Sequence, residues 1–234
     1  MLLLLCDTSG KNGFVALARA EDAEGAEPID VIETDVIEEV PLAGGAFSAE
    51  LVPQIAAMLA RHGLGKHDIA AFVVISGPGS FTGLRVGLAA IKALAEILQK
   101  PIVPVSLLEA VALRSAATGT VMAALDAGRG EVYAGEYEVS AHAAQLIREQ
   151  LLSKEEFLST AAASKISTPD EVVAAIAQGA GIAVTLVKRP DAAVVAARGL
   201  ARLRAGQTVS PEQLEANYIR HTAAEIFAKP PSGT

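Results

Sequence analysis

Residues Ser76–Gly87 read SGPGSFTGLRVG, and the order of residues within this stretch decides the fold. An apolar run, Ala70 to Ile75, enters it, and a long helical pattern, Leu84 to Leu98, leaves it. The reading is a buried strand, a tight turn and a helix start. Gly77, Gly79 and Gly83 permit backbone geometry closed to other residues, and Pro78 fixes its own φ. Ser80 or Thr82 is placed to cap the helix. A capped N-terminus with free N–H groups suits a phosphate or carboxylate, which makes Gly77, Gly79, Ser80, Thr82 and Arg85 candidate anion-facing residues. A rigid turn that binds nothing fits the same residues. The stretch lacks the GK[ST] ending of a P-loop and the spacing of a dinucleotide fingerprint.

Working outward, Leu2 to Cys6 is an all-apolar strand suited to burial on both faces, and Gly13 to Ala20 is its return. The acidic Glu21 to Pro28 connects to a third strand, Val31 to Val40. A helix from Ser48 to about His62, the Ala70 strand, the second helix and a strand from Ile102 to Val105 complete the order βββαβαβ. The pattern then restarts. A helix Leu107 to Ala116 leads to strands Val121 to Asp126, Glu131 to Glu138 and Ala144 to Gln150. A helix Pro169 to Gln178, a strand Ile182 to Val187 and a helix Asp191 to Ala205 follow. Two hairpins built around Asp7 and Asp126 predict a duplicated α/β architecture. The boundaries expected are 1–105 for the first lobe, 106–224 for the second and 225–234 for a loose tail.

Composition narrows the function classes. The 234 residues carry a net charge of −8 with no Lys/Arg cluster, the opposite of a chain that grips nucleic acid by its phosphates. The single cysteine, Cys6, excludes an internal disulfide and fits a reducing cytoplasm. The opening MLLLL lacks a basic flank and is cut short by Asp7, so it reads as a strand and not as a leader. No apolar window reaches the ~18 residues of a membrane span.

Candidate chemistry is sparse. Asp7, Thr8 and Ser9 end a central strand, where open α/β sheets gather ligands, yet all three are also ordinary turn formers. Asp126, Arg129 and Glu131 cross a second turn and offer a substrate contact, although opposite charges in a turn more often form a structural ion pair, with Tyr133 on the same strand face as Glu131. The four histidines, His62, His67, His142 and His221, show no HExxH or HxxxH spacing, and no GxSxG elbow occurs. No metal site and no catalytic set is expected.

The helices carry a different signal. Leu51, Ile55, Met58 and Leu59 form one apolar stripe on the first. On the second, Leu84, Leu88, Ile91, Ala95 and Leu98 form one stripe, and Ala90, Leu94 and Ile97 form another. A doubled stripe favours a helical bundle between subunits. The expected interface residues are Leu51, Ile55, Met58, Leu59, Leu88, Ile91, Leu94 and Leu98.

LCDTSG at the start, SGPGSFTGLRVGLAAIKALA, PIVPVSLLEAVA and LDAGRGEVY, in that order and spacing, resemble the TsaB (YeaZ) family as far as about Tyr137. Asn217-Tyr218-Ile219-Arg220 echoes its closing motif, although Ala216 stands where proline is usual and Phe47 where histidine is. The resemblance implies an ASKHA fold of two lobes, related to actin and Hsp70 ATPase domains, that has lost catalysis. It implies pairing with the paralogue TsaD through the N-lobe helices, cooperation with the ATPase TsaE, and homodimers when alone. It implies a part in threonylcarbamoylation of N6 of adenosine in tRNAs reading ANN codons, with tRNA reached only through the complex. No cofactor of its own is expected, and ATP or ADP would sit at the boundary with TsaD. The rival is a self-sufficient ASKHA-type ATPase using Asp7 and the glycine loop, or a glycoprotease-like enzyme.

Overall fold

The computed structural model describes residues 1–20, 34–140, 143–161 and 164–219. The expected hairpin connection at Glu21 to Pro28, the first residues of the third strand, His142, His221, Arg220 and the tail 225–234 lie outside them. Two compact units emerge: Met1–Ala110 with Pro190–Asn217, and Val111–Arg189, to which Tyr218 also belongs.

The first unit runs β1 (Leu2–Asp7), β2 (Asn12–Ala20), β3 (Thr34–Ala43), α1 (Phe47–Arg61), β4 (Ile69–Gly77), α2 (Phe81–Leu98), β5 (Ile102–Ser106) and the start of α3 (Leu107–Arg114). Its sheet order is β3-β2-β1-β4-β5. The first three strands are antiparallel hairpin neighbours, whereas β1, β4 and β5 are parallel. Parallel neighbours need crossovers, and α1 and α2 provide them. Strand alternation then divides the side chains. Leu4, Cys6, Val15, Leu17, Phe72 and Val74 pack with Leu51, Ile55, Met58, Leu88 and Ile91 of the two helices. Each large apolar side chain so buried contributes about 1.5–3 kcal/mol.

The other face of this sheet is covered from late in the chain. There α6 (Ala192–Arg204) packs across the strands, and a Cβ at Gly199 would lie 2.5 Å from the methyls of Val73. The expected division at 105/106 therefore needs correction, because Pro190–Asn217 belongs with the first unit. A central strand apolar on both faces needs two covering layers, and α6 supplies the second. Asp191 caps it by accepting the N–H of Val194 at 3.3 Å. Glu109 of α3, only 2% exposed, accepts from Arg198 Nε at 2.5 Å and Arg202 Nη2 at 2.8 Å. Arg202 Nη1 also donates to the carbonyl of Pro104 at 2.5 Å.

The second unit contains β6 (Gly119–Gly128), β7 (Glu131–Val139), β8 (Ala144–Ser153), α4 (Lys154–Ala161), β9 (Lys165–Thr168), α5 (Glu171–Gly179) and β10 (Val184–Leu186). Its sheet, β10-β9-β6-β7-β8, repeats the first one strand for strand, including the switch from antiparallel to parallel pairing. The duplication predicted from the two aspartate hairpins is present. The sequence reading finds neither α4 nor β9. No helix among the described residues is long and apolar enough to cross a membrane.

Candidate functional site

The glycine loop joins β4 to α2 as expected, and Ser80 rather than Thr82 is the cap, its Oγ accepting the N–H of Gly83 at 3.2 Å. What faces the glycines is the chain itself. The β1–β2 turn, Asp7 to Ser9, lies along them, and all three of its residues are buried. Ser80 N–H donates to the carbonyl of Ser9 at 2.7 Å. A Cβ at Gly79 would lie 2.2 Å from that same carbonyl oxygen, one at Gly83 2.1 Å from the carbonyl oxygen of Thr8, and one at Gly87 2.1 Å from Thr8 Oγ1. Contacts under about 3 Å are closed to real Cβ atoms, so these positions accept only glycine at this helix-to-turn distance.

Asp7 works inside the turn. Its Oδ1 accepts both the backbone N–H of Ser9, at 2.8 Å, and the Ser9 hydroxyl, at 2.5 Å. This is the local turn chemistry that the residue types allow. Burial first and the neighbouring Asp7 second push the Cys6 thiol far up, so Cys6 is a packed strand residue and not a nucleophile. Gly77, at φ 124°, meets the carbonyl oxygen of Asn217, whose N–H donates to Ser76 O at 2.7 Å. Asn217, the first residue of the closing motif, thus pins the far side of the same loop.

Arg85 and Thr82 point outward, and the Arg85 guanidinium stacks 3.6 Å from the centroid of the Phe81 ring. The interface expectation needs correction here. Leu51, Ile55, Met58, Leu59, Leu88, Ile91 and Leu98 are all core of the first unit, and Leu94 is half-buried. These stripes face the sheet because β1 and β4 offer them the larger apolar surface. Other positions of the two helices remain exposed. They include Val52 at 50% exposure, Phe81 at 46% and Ile97 at 71%, with the exposed Ala49, Ala56, Ala57, Ala60, Ala89 and Ala93 and the charged Glu50, Arg61, Arg85 and Glu96. Alanine at such positions lets helices approach closely.

In the second unit, Asp126 Oδ1 accepts the N–H of Gly128 at 2.9 Å, and Asp126 N–H donates to Asp170 Oδ2 at 2.8 Å. Burial, then the charge of Glu131, raises the Tyr133 phenol above its ordinary value. Among the described residues no three His, Cys, Asp or Glu side chains are grouped as a metal requires. The Glu109–Arg198–Arg202 cluster escapes sequence reading because Glu109 on α3 stands 89 and 93 residues from its two α6 partners.

The family model described as "TsaD: tRNA N6-adenosine threonylcarbamoyltransferase" matches residues 41–193. The chain belongs to that family. Within the TsaD family its resemblance to the TsaB (YeaZ) proteins stands. It is 34% identical over 139 residues to the tRNA threonylcarbamoyladenosine biosynthesis protein TsaB of Bacillus subtilis, covering 59% of this chain and 56% of that protein. With the Escherichia coli protein of the same name it is 37% identical over 91 residues, 38% of this chain and 39% of that one. The aligned stretch thus spans about half the length, or less, of these curated relatives. The crystal structure of an uncharacterized Pseudomonas aeruginosa protein with similarity to peptidase YEAZ superposes with a TM-score of 0.73 at 25% identity, covering 94% of this chain and 99% of that one. The fold of this TsaD-family chain is the ASKHA-type duplication implied by its sequence.

Proposed function

We propose that this chain is a noncatalytic accessory subunit in N6-threonylcarbamoyladenosine modification of tRNAs reading ANN codons, binding a TsaD partner and holding it in an active arrangement. The carrying observation is the outer face of α1 and α2. It keeps Val52, Phe81 and Ile97 exposed among alanines after the core has been built, alongside the charged Glu50, Arg85 and Glu96. The TsaB names of its relatives and the match to the TsaD family model support a role beside TsaD. In isolation the same face pairs two copies.

Absence of chemistry of its own is supported by the internal use of Asp7, Thr8, Ser9, Gly79, Gly83 and Gly87, which the turn and helix occupy between them. ATP or ADP and TsaE therefore act through the assembled complex. Tools for gripping tRNA are missing from a chain of net charge −8, so the nucleic acid is met by the partner. A cytoplasmic setting agrees with one buried, free cysteine.

Titration of purified TsaD with the wild-type chain and with a V52D/I97D variant tests this reading, alongside a reconstituted modification assay. The double variant is expected to bind roughly 100-fold more weakly, since centrally placed apolar anchors dominate interface energy. Equal nucleoside formation without the chain, or ATP turnover by the chain alone, would sink it.

A further inference from the structure

The glycines along α2 are matched to the β1–β2 turn closely enough to set where the helix lies. Gly83 and Gly87 lie four residues apart on one side of α2, Gly79 precedes its cap, and the Ser9 carbonyl, the Thr8 carbonyl and the Thr8 hydroxyl face Gly79, Gly83 and Gly87 in that order. The first two of these contacts are to turn backbone, and the second of them is on the helix itself. The third is a side chain: a Cβ at Gly87 would meet Thr8 Oγ1 at 2.1 Å, Cγ2 at 3.1 Å and Cβ at 3.2 Å. We propose that Thr8 is a positioning residue for the docking face, seated in the hollow at Gly87 and fixing the tilt of α2.

The proposal rests on the docking reading above and adds to it a buried residue that no partner touches. Leverage explains why one hydroxyl matters. Ile97 lies ten residues beyond Gly87, about 15 Å along the helix axis, so a tilt of about 5° moves it by about 1.3 Å. Docking surfaces tolerate about 0.5 Å of misplacement before complementarity fails. The second unit provides a control within the same chain. Its turn carries Ala127 where the first has Thr8, and α5, counted from its cap Asp170, carries Ala177 where α2, counted from Ser80, has Gly87. Size has been exchanged between turn and helix, which is the compensation expected if the two positions answer to one another.

The experiment uses the full chain as wild type, G87A, T8A and T8A/G87A, with V73A as a core control on the sheet face covered by α6. Affinity for purified TsaD is measured by calorimetry, and amide exchange of α2 and thermal midpoints are recorded without partner. G87A is expected to bind at least 10-fold more weakly, T8A about 3-fold more weakly, and the double variant within about 3-fold of wild type. V73A is expected to lower the midpoint but leave affinity within 2-fold. Exchange along α2 is expected to rise in G87A and return in the double variant. Wild-type affinity in a folded G87A, or a double variant no better than G87A, overturns the proposal. Should G87A not fold, a double variant that also fails to fold, or binds more weakly than T8A, overturns it. A wild-type chain that does not bind TsaD overturns this proposal and the docking reading together.

Discussion

The two units answer one problem, joining a strand turn to the helix that follows the central parallel strand, in two ways. Both turns begin with an aspartate whose Oδ1 accepts the N–H two residues on, from Ser9 at 2.8 Å and from Gly128 at 2.9 Å. Both turns are tied to the cap residue of the next helix, Ser80 in one and Asp170 in the other. The difference is distance of approach. In the first unit, glycine at the third and seventh helical positions lets turn backbone meet the helix directly; in the second, Val173 and Ala177 stand there, and a carboxylate reaches across instead. The glycine-matched helix has 18 residues, and its counterpart has 9. A duplicated fold thus keeps its local hydrogen bonds and varies packing where a helix must be held accurately.

The sharpest way to break this contrast is to remove what only the first unit has, the α6 layer tied by Glu109. Truncation in Glu109→Ala leaves Arg198 and Arg202 facing a buried gap, and breaking such a cluster costs about 3 kcal/mol, toward the low end of its range because Arg202 keeps 25% of its side chain in solvent. Urea denaturation followed by amide exchange is expected to show β1 and β4 losing protection while β6 and β7 keep theirs. Uniform loss across both sheets would contradict it.

A smaller effect compares the turns directly. Asp7→Ala leaves the buried N–H and hydroxyl of Ser9 without their acceptor, a loss of about 2 kcal/mol. Asp126→Ala removes the equivalent acceptor from an exposed turn where water replaces it, a loss under about 1 kcal/mol. Equal shifts in denaturation midpoint would show that the two turns are not held differently.

The same contrast explains what could be read from sequence. Leu2 to Cys6, Ala70 to Ile75 and the helix after Ser80 carry long, strong patterns because a strand buried on two faces must be apolar throughout. In the second unit, β9 is the four-residue KIST and α4 is KEEFLSTA with only Phe157 and Ala161 buried, too short for either period to register. Which stripe of α2 turns inward was not legible either. Both stripes are apolar, and only the sheet beneath decides that Leu88, Ile91 and Leu98 go in while Ile97 stays out. The glycine loop was legible as a motif, but its occupant was not, because Thr8 and Gly87 lie 79 positions apart and meet only through the pairing of β1 with β4.

The gentlest test concerns how each sheet edge is secured. In the first unit Glu38 on β3 reaches to the end of α1, with Arg61 Nη2 at 2.6 Å and His62 Nε2 at 2.8 Å; in the second, Arg148 of β8 bonds Glu136 of β7 at 2.8 Å, within one sheet. The Arg61 hydrogen bond, then that of His62, holds the Glu38 carboxyl below its ordinary 4.5 despite the opposing effect of desolvation. A carboxyl depressed on folding contributes stability that is fully present above its unfolded value and is lost as pH falls through the folded one. Wild type and Glu38→Gln are therefore expected to differ in thermal midpoint at pH 7 and to converge as pH falls well below 4.5. Because the pair is exposed, 0.5 M salt is expected to narrow the gap at pH 7. A gap that persists through acid would assign the Glu38 contribution to packing of its stem and not to its charge, leaving the tie between sheet edge and α1 apolar.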